Sequence, residues 1–142
     1  MPFEGERIEA PLPGLVFIAT DGAKFRCFAF TGTDRPSAET PLYFAPLGNV
    51  YNDGSFCSGN VQLPREIRLE NIQVWQRFVL ESTNTHHGSV DPIQGCEGFA
   101  DLVAFYRTLN ESQAQEFPQD RLVPVMRNGE PVTVESVVKE GK

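Results

Sequence analysis

Two hydrophobic periods divide the chain. Up to about residue 63 the apolar residues come in short runs separated by turn residues, and from Leu69 they recur at every third or fourth position. Leu15 to Thr20 is rich in branched and aromatic residues, Asp21-Gly22 is a turn dipeptide, and Lys24 to Thr31 resumes the apolar run, so a β-hairpin is predicted there. Thr31 to Pro41 is a polar loop of Gly, Pro and Ser. Leu42 to Tyr51 is strand-like again, although Pro46 and Gly48 argue for an edge or a break. Asn52-Asp53-Gly54 turns the chain, and Phe56 to Leu63 returns, interrupted by Ser58-Gly59-Asn60 and closed by Pro64. About four strands in meander order follow from this, with no parallel crossover. Ahead of them, residues 1–13 hold Pro2, Pro11, Pro13 and three glutamates without a period, which predicts an irregular lead-in.

Leu69, Ile72, Trp75 (or Gln76) and Val79, with Glu70, Gln73, Arg77 and Glu81 between them, predict an amphipathic helix over 68–81. Ser82 to Gly98 has no period and is longer than an ordinary connection, which makes it a candidate functional loop. Phe99, Leu102, Val103, Tyr106 and Leu109 mark a second helix ending near Asn110. Leu122 to Met126 and Pro131 to Val138 flank Arg127-Asn128-Gly129-Glu130, whose Asn-Gly is the strongest short hairpin signal in the chain. With no internal repeat and no linker, the economical reading is one α+β domain over residues 1–142, with 127–142 as a C-terminal hairpin or tail.

Charge narrows the partners. Twelve Lys and Arg against 19 Asp and Glu give a formal charge of −7, so nothing in the sequence argues for nucleic acid or an anionic membrane. The longest apolar stretches, such as Leu15 to Ala19, fall far short of a membrane span, and Glu4 and Glu6 stand where a secretory signal carries positive charge. A cytoplasmic location is expected. Cys27, Cys57 and Cys96 are odd in number and widely spaced without a CxxC, which offers neither a disulfide framework nor a zinc ribbon.

Each thiol is then either core filling or a nucleophile. Cys27, between Phe25 and Ala29 in a strand, fits core filling, whereas Cys96 lies in a loop. Cys57 follows the Asn-Asp-Gly turn and precedes Ser58-Gly59-Asn60, a setting that suits an accessible thiol, because the thiolate must be reachable to attack. The plain alternative is a strand cysteine pointing inward. His86 and His87, the only histidines, are adjacent in the long loop and suit a proton shuttle, a hydrogen-bond donor or an exposed pair without function. Metal binding would need one of them with Asp91, Cys96 or Glu97, a spacing that matches no standard ligand set, and no metal or organic cofactor is expected. Asn49 is brought back toward Cys57 by the intervening turn, where its amide either donates to an oxyanion or caps local backbone.

The stretch from Pro46 to Cys57 resembles the active-site region of ubiquitin-conjugating enzymes, in which a His-Pro-Asn triplet is followed by Ile or Val, a turn ending in Gly, and the cysteine that accepts ubiquitin. Asn49, Val50, Gly54 and Cys57 fall at those offsets, with Leu47-Gly48 in place of His-Pro. More of the chain is similar to the bacterial ubiquitin-conjugating-like family called PRTRC system protein B. The matching residues are Arg35-Pro36, Thr40-Pro41-Leu42, Asn49-Val50, Gly54 to Cys57, Thr85-His86, Gly98-Phe99 and Phe117-Pro118, over most of residues 14–124. His87-Gly88 departs from the Pro-Asn or Pro-Gly usual there, and the longer N-terminal region usual in that family is expected to be absent.

The resemblance implies a ubiquitin-conjugating-like fold, an antiparallel meander packed by helices, here without the usual N-terminal helix. It also implies a catalytic set of Cys57, His86 and Asn49. Cys57 would accept a ubiquitin-like protein from a ThiF-type activating enzyme as a thioester and pass it to an amine, with a JAB-type peptidase in the same system. His86 would replace the lost upstream histidine. The alternatives are an oxyester carried by Ser55 or Ser58, a non-catalytic module that binds a ubiquitin-like protein or the activating enzyme, and a thiol redox sensor pairing Cys57 with Cys96.

Overall fold

Side-chain alternation along the first hairpin sets the two sides on which the rest of the chain packs. In the computed structural model, which describes residues 2–3, 6–20, 24–56, 63–85 and 89–140, β1 (Pro2–Phe3) and β2 (Glu6–Arg7) form a short antiparallel ribbon. β3 (Gly14–Thr20) and β4 (Lys24–Phe30) make the predicted hairpin, paired antiparallel from Gly14 opposite Phe30 to Thr20 opposite Lys24. Its turn, residues 21–23, lies outside the described residues. β5 (Tyr43–Phe44) pairs antiparallel on the far side of β4, giving the order β3-β4-β5. Because successive strand residues face opposite sides, Val16, Ile18, Phe28 and Phe44 pack with Leu42, Val125, Val132 and Val137. Leu15, Phe17 and Cys27 pack on the other face with Ala45, Leu47, Val50, Phe56 and Val79.

Both predicted helices form close to their expected limits, as α1 (Leu69–Glu81) and α2 (Gly98–Glu111). Val79 of α1 closes the second face, while Leu102, Val103, Phe105 and Tyr106 of α2 build a further cluster with Phe3, Ile8, Ile93, Phe117 and Leu122. The N-terminal stretch, expected to be irregular, therefore contributes both a ribbon and core. Phe3 and Ile8 are each only 4% exposed, and burying such side chains contributes roughly 1.5–3 kcal/mol apiece, enough to fix a segment that has no period of its own.

Two strand expectations change. Leu42 to Tyr51 shortens to β5, because Pro46 has no N–H to continue a ladder and Asn49 turns into the left-handed region at φ 64°. Residues 42–44 are bordered instead by the chain around Val123 to Val125: Phe44 N donates to Val123 O at 3.0 Å and Val125 N to Leu42 O at 3.0 Å. Of the returning segment, the Val50–Phe56 bridge is described, and residues 57–62 lie outside the described residues. The Asn-Gly hairpin forms as β6 (Met126–Arg127) and β7 (Glu130–Pro131), but the expected strand through Val138 gives way to α3 (Val134–Glu140). The cause is a reciprocal cap at the helix start. Ser136 Oγ accepts from Thr133 N at 2.8 Å, and Thr133 Oγ1 accepts from Ser136 N at 3.3 Å, the two-way satisfaction of free N–H groups that nucleates a helix. Among the described residues no helix precedes β3, and none is long and apolar enough to cross a membrane.

Candidate functional site

The chain from Ala45 to Phe56 forms a hooked turn against the end of the sheet. Tyr106 Oη of α2 donates to the Pro46 carbonyl, which ties the start of the hook to a fully buried ring. Asn49 then adopts φ 64°, a conformation that asparagine tolerates better than most residues. Val50 bridges Phe56, Tyr51 N donates to Ser55 O at 2.8 Å, and Gly54 N donates to Tyr51 O at 3.0 Å. Gly54 O accepts the Cys27 N–H at 2.9 Å, so the tip of the hook takes the place beside β4 that β5 has vacated. Glycine is required there, because φ is +89° and a Cβ would lie closer than 3.0 Å to three atoms of the Phe28 ring.

Two side chains act within the hook. Asp53 Oδ1 accepts from Ser55 N at 2.8 Å and from Ser55 Oγ at 2.5 Å, holding the last corner before Phe56. Asn49 Nδ2 donates to Thr83 O at 3.2 Å, while its Oδ1 is buried without a hydrogen-bond partner among the described residues. Thr83 lies just past the end of α1, on the approach to the two histidines. The next residue, Asn84, donates from its N at 2.9 Å and its Nδ2 at 3.0 Å to Pro2 O of the N-terminal ribbon. On the far side of the histidines, Ser89 Oγ accepts the Asn52 N–H at 2.8 Å.

Cys57 and His86, with the neighbouring His87, lie outside the described residues, whereas Asn49 is described. The structure therefore brings together the flanks. Phe56 packs edge-on to Trp75, with ring centroids 5.0 Å apart, and lies 5.7 Å from Phe78. Trp75 stacks on Phe25 at 4.3 Å and donates its indole N–H to Pro64 O at 3.0 Å. One indole thus meets the chain on both sides of 57–62, and one hook meets it on both sides of 86–88. Sequence reasoning singled out Asn49 but missed Thr83, Ser89 and the bracing role of Trp75. Trp75 was legible as an inward helix position, whereas Thr83 acts through its carbonyl and Ser89 carries no pattern.

The two described thiols differ. Cys27 is 0% exposed, and burial pushes its thiol far above the ordinary range, which makes it core filling as its strand position predicted. Cys96 is half-buried. Burial raises its thiol, opposed by the Arg121 guanidinium, whose Nη2 lies 3.8 Å from Sγ. Arg121 is itself committed to the Gln94 carbonyl at 2.8 Å and to the face of Phe105. Among the described residues no group of three or more His, Cys, Asp or Glu side chains is arranged to hold a metal ion.

No curated protein and no solved structure matches this chain. A family model does, over residues 2–125, which takes in the sheet, the hook and both long helices. A mixed α/β domain of helices and antiparallel sheets agrees with that match. The chain belongs to prokaryotic E2 family D, a family of the ubiquitin-conjugating-like type.

Proposed function

We propose that this protein is a ubiquitin-like-protein conjugating enzyme in which Cys57 is the acyl carrier. The Cys57 thiolate attacks the thioester carbonyl of a ubiquitin-like protein held on a ThiF-type activating enzyme, passes through a tetrahedral oxyanion and expels the donor thiolate. An acceptor amine then attacks the Cys57 thioester, gives up a proton to His86, and expels the Cys57 thiolate, leaving an amide. Besides family membership, the observation that carries this reading is the Asn49 Nδ2 to Thr83 O hydrogen bond at 3.2 Å. It fastens the turn that leads into Cys57 to the chain that leads into His86. One amide proton of Asn49 is spent on that tie, so holding the loop is its first role. The second proton remains for an oxyanion, where such donors contribute about 3–4 kcal/mol. No cofactor enters either step. The finer partners proposed, an activating enzyme of ThiF type and a JAB-type peptidase in a PRTRC-like system, follow the resemblance of the motifs.

A second reading has one observation in its favour. Ser55 Oγ lies 2.5 Å from the Asp53 carboxylate, which supplies the adjacent base that a bare serine lacks. The same oxygen also takes the Ser55 N–H, however, so the pair already serves the turn, and Cys57 remains the stronger nucleophile. Charging the protein with the activating enzyme and ubiquitin-like protein of its own system, plus ATP, decides the matter on non-reducing gels. An adduct that reductant dissolves and that Cys57→Ala abolishes is expected. An adduct that survives reductant and needs Ser55 supports the oxyester, and no adduct with any variant leaves a binding module of the same fold.

A further inference from the structure

The chain on either side of residues 86–88 is fastened to one structure. On entry, Thr83 O accepts from Asn49 Nδ2 at 3.2 Å and Asn84 is bound to Pro2 O. On exit, Ser89 Oγ accepts the Asn52 N–H at 2.8 Å. Asn49 and Asn52 belong to the same hook, which runs on through the Val50–Phe56 bridge toward Cys57. Ser89 is exposed and belongs to none of the hydrophobic clusters. It does not cap α2 either, where Asp91 Oδ1 accepts from Gly98 N and Asp101 Oδ2 from Glu97 N just before the helix, at 2.9 Å each. Its hydroxyl accepts an amide distant in sequence, unlike the local turns that serine usually makes with its own neighbours.

We propose that Ser89 is a positioning residue for acyl transfer. By accepting the Asn52 amide it fixes the point where the chain rejoins the body after His86, on the same frame that carries Cys57. The inference rests on the reading of Cys57 as acyl carrier and His86 as proton acceptor, and deepens it. Without the Ser89 hydroxyl the entry side stays tied through Asn49, but the exit side loses its tie to the hook at Asn52. Attack by the Cys57 thiolate on an activated thioester does not need His86, so it is little changed. Aminolysis near neutral pH does need an acceptor in register, because an ammonium group must give up a proton before its nitrogen lone pair can attack, and it slows.

The test uses the mercaptoethanesulfonate thioester of diglycine as acyl donor and glycinamide as amine, followed by intact-protein mass and product analysis. In the first step Cys57 displaces mercaptoethanesulfonate and gains a diglycyl group. In the second, glycinamide displaces the Cys57 thiolate and leaves as triglycinamide, its lost proton passing through His86 to solvent. For Ser89→Ala we expect acylation within twofold of the unaltered protein and aminolysis at least fivefold slower at neutral pH. The gap should narrow as pH rises and the amine sheds its proton without help, and Ser89→Thr, which keeps the hydroxyl, should recover at least half of the loss. Equal aminolysis rates for Ser89→Ala and the unaltered protein would overturn the inference, as would a deficit constant across pH or one that Ser89→Thr shares in full. If Cys57 of the unaltered protein takes no acyl group, the carrier reading falls and this inference with it. Acylation at Cys57 with Ser89→Ala indistinguishable in both steps removes the role of Ser89 alone.

Discussion

Replacing Gly54 with alanine probes whether the hook is fixed by its backbone shape or by contact with the core. Two costs apply. The backbone at φ +89° is unfavourable for an L side chain by about 1–2 kcal/mol. The new Cβ must also displace the ring of Phe28, which is 0% exposed and set in the sheet, and overpacking of this kind costs roughly 1–3 kcal/mol. Gly32 separates the two. Its φ is +84°, yet nothing lies within 4 Å of a Cβ built there, so Gly32→Ala carries the first cost alone. Alanine also stiffens the unfolded chain, a gain of about 0.4–1 kcal/mol that both variants share and that cancels between them. Gly54→Ala should therefore be about 1–3 kcal/mol less stable than Gly32→Ala. Urea unfolding followed by Trp75 fluorescence reads the difference directly, since the chain has 1 tryptophan and it packs on Phe56 beside the hook. Equal midpoints for the two variants would refute the argument, because they would mean that Phe28 does not bear on the tip of the hook.

Three further outcomes follow from other contacts. Tyr106→Phe removes the donor to the Pro46 carbonyl and should cost about 1–3 kcal/mol, with no change in α2 helicity by circular dichroism; an unchanged urea midpoint would count against that tie. Arg26 is 3% exposed and held by Glu140 Oε2 and Val137 O at 3.2 Å each, while its Nε has no partner among the described residues. Arg26→Met should be neutral or stabilising, whereas Glu140→Ala, acting on a carboxylate that is a third exposed, should cost about 1–3 kcal/mol; the reverse order in thermal melts would contradict the pairing. Iodoacetamide on the folded protein should spare Cys27 and label Cys96 slowly. Because burial raises the Cys96 thiol, its rate should keep climbing with pH beyond the range of a free cysteine, and mass mapping that finds Cys27 labelled before unfolding would refute its burial.

Elements with a strong period could be read from the chain, and elements decided by single contacts could not. The β3–β4 hairpin, α1 and α2 were legible because a run of apolar residues at one spacing has few ways to be buried. Val134 to Val138 has strand propensity and still forms a helix, because the Thr133–Ser136 exchange at its start satisfies amides that a strand would have left to a neighbour. The same limit applies at Leu42 to Tyr51. There Pro46 stops the ladder, and the edge of β5 is met by Val123 to Val125, a pairing set by sequence separation too long for any local pattern.

For the site, candidate residues could be singled out one by one, but the contacts that Asn49 makes could not. Asn49 stands out by its spacing from Cys57, yet nothing in the spacing says that its amide bonds the Thr83 carbonyl. That bond goes with φ 64° at Asn49, in a turn whose start is held by Tyr106 through the Pro46 carbonyl and whose tip packs on Phe28. The hook is thus braced from α2 at its start, from β4 at its tip and from Trp75 at its end. In the proposed acyl transfer, misplacement of about 1 Å can cost on the order of a hundredfold in rate, so a frame tied to the half-buried Trp75 of α1 and to the buried rings of Tyr106 in α2 and Phe28 in β4 meets the requirement better than a free loop. The exposed latches at Thr83 and Ser89 then contribute little to stability and much to register, which is why charging and discharge kinetics, rather than melting temperature, are the measurements that bear on them.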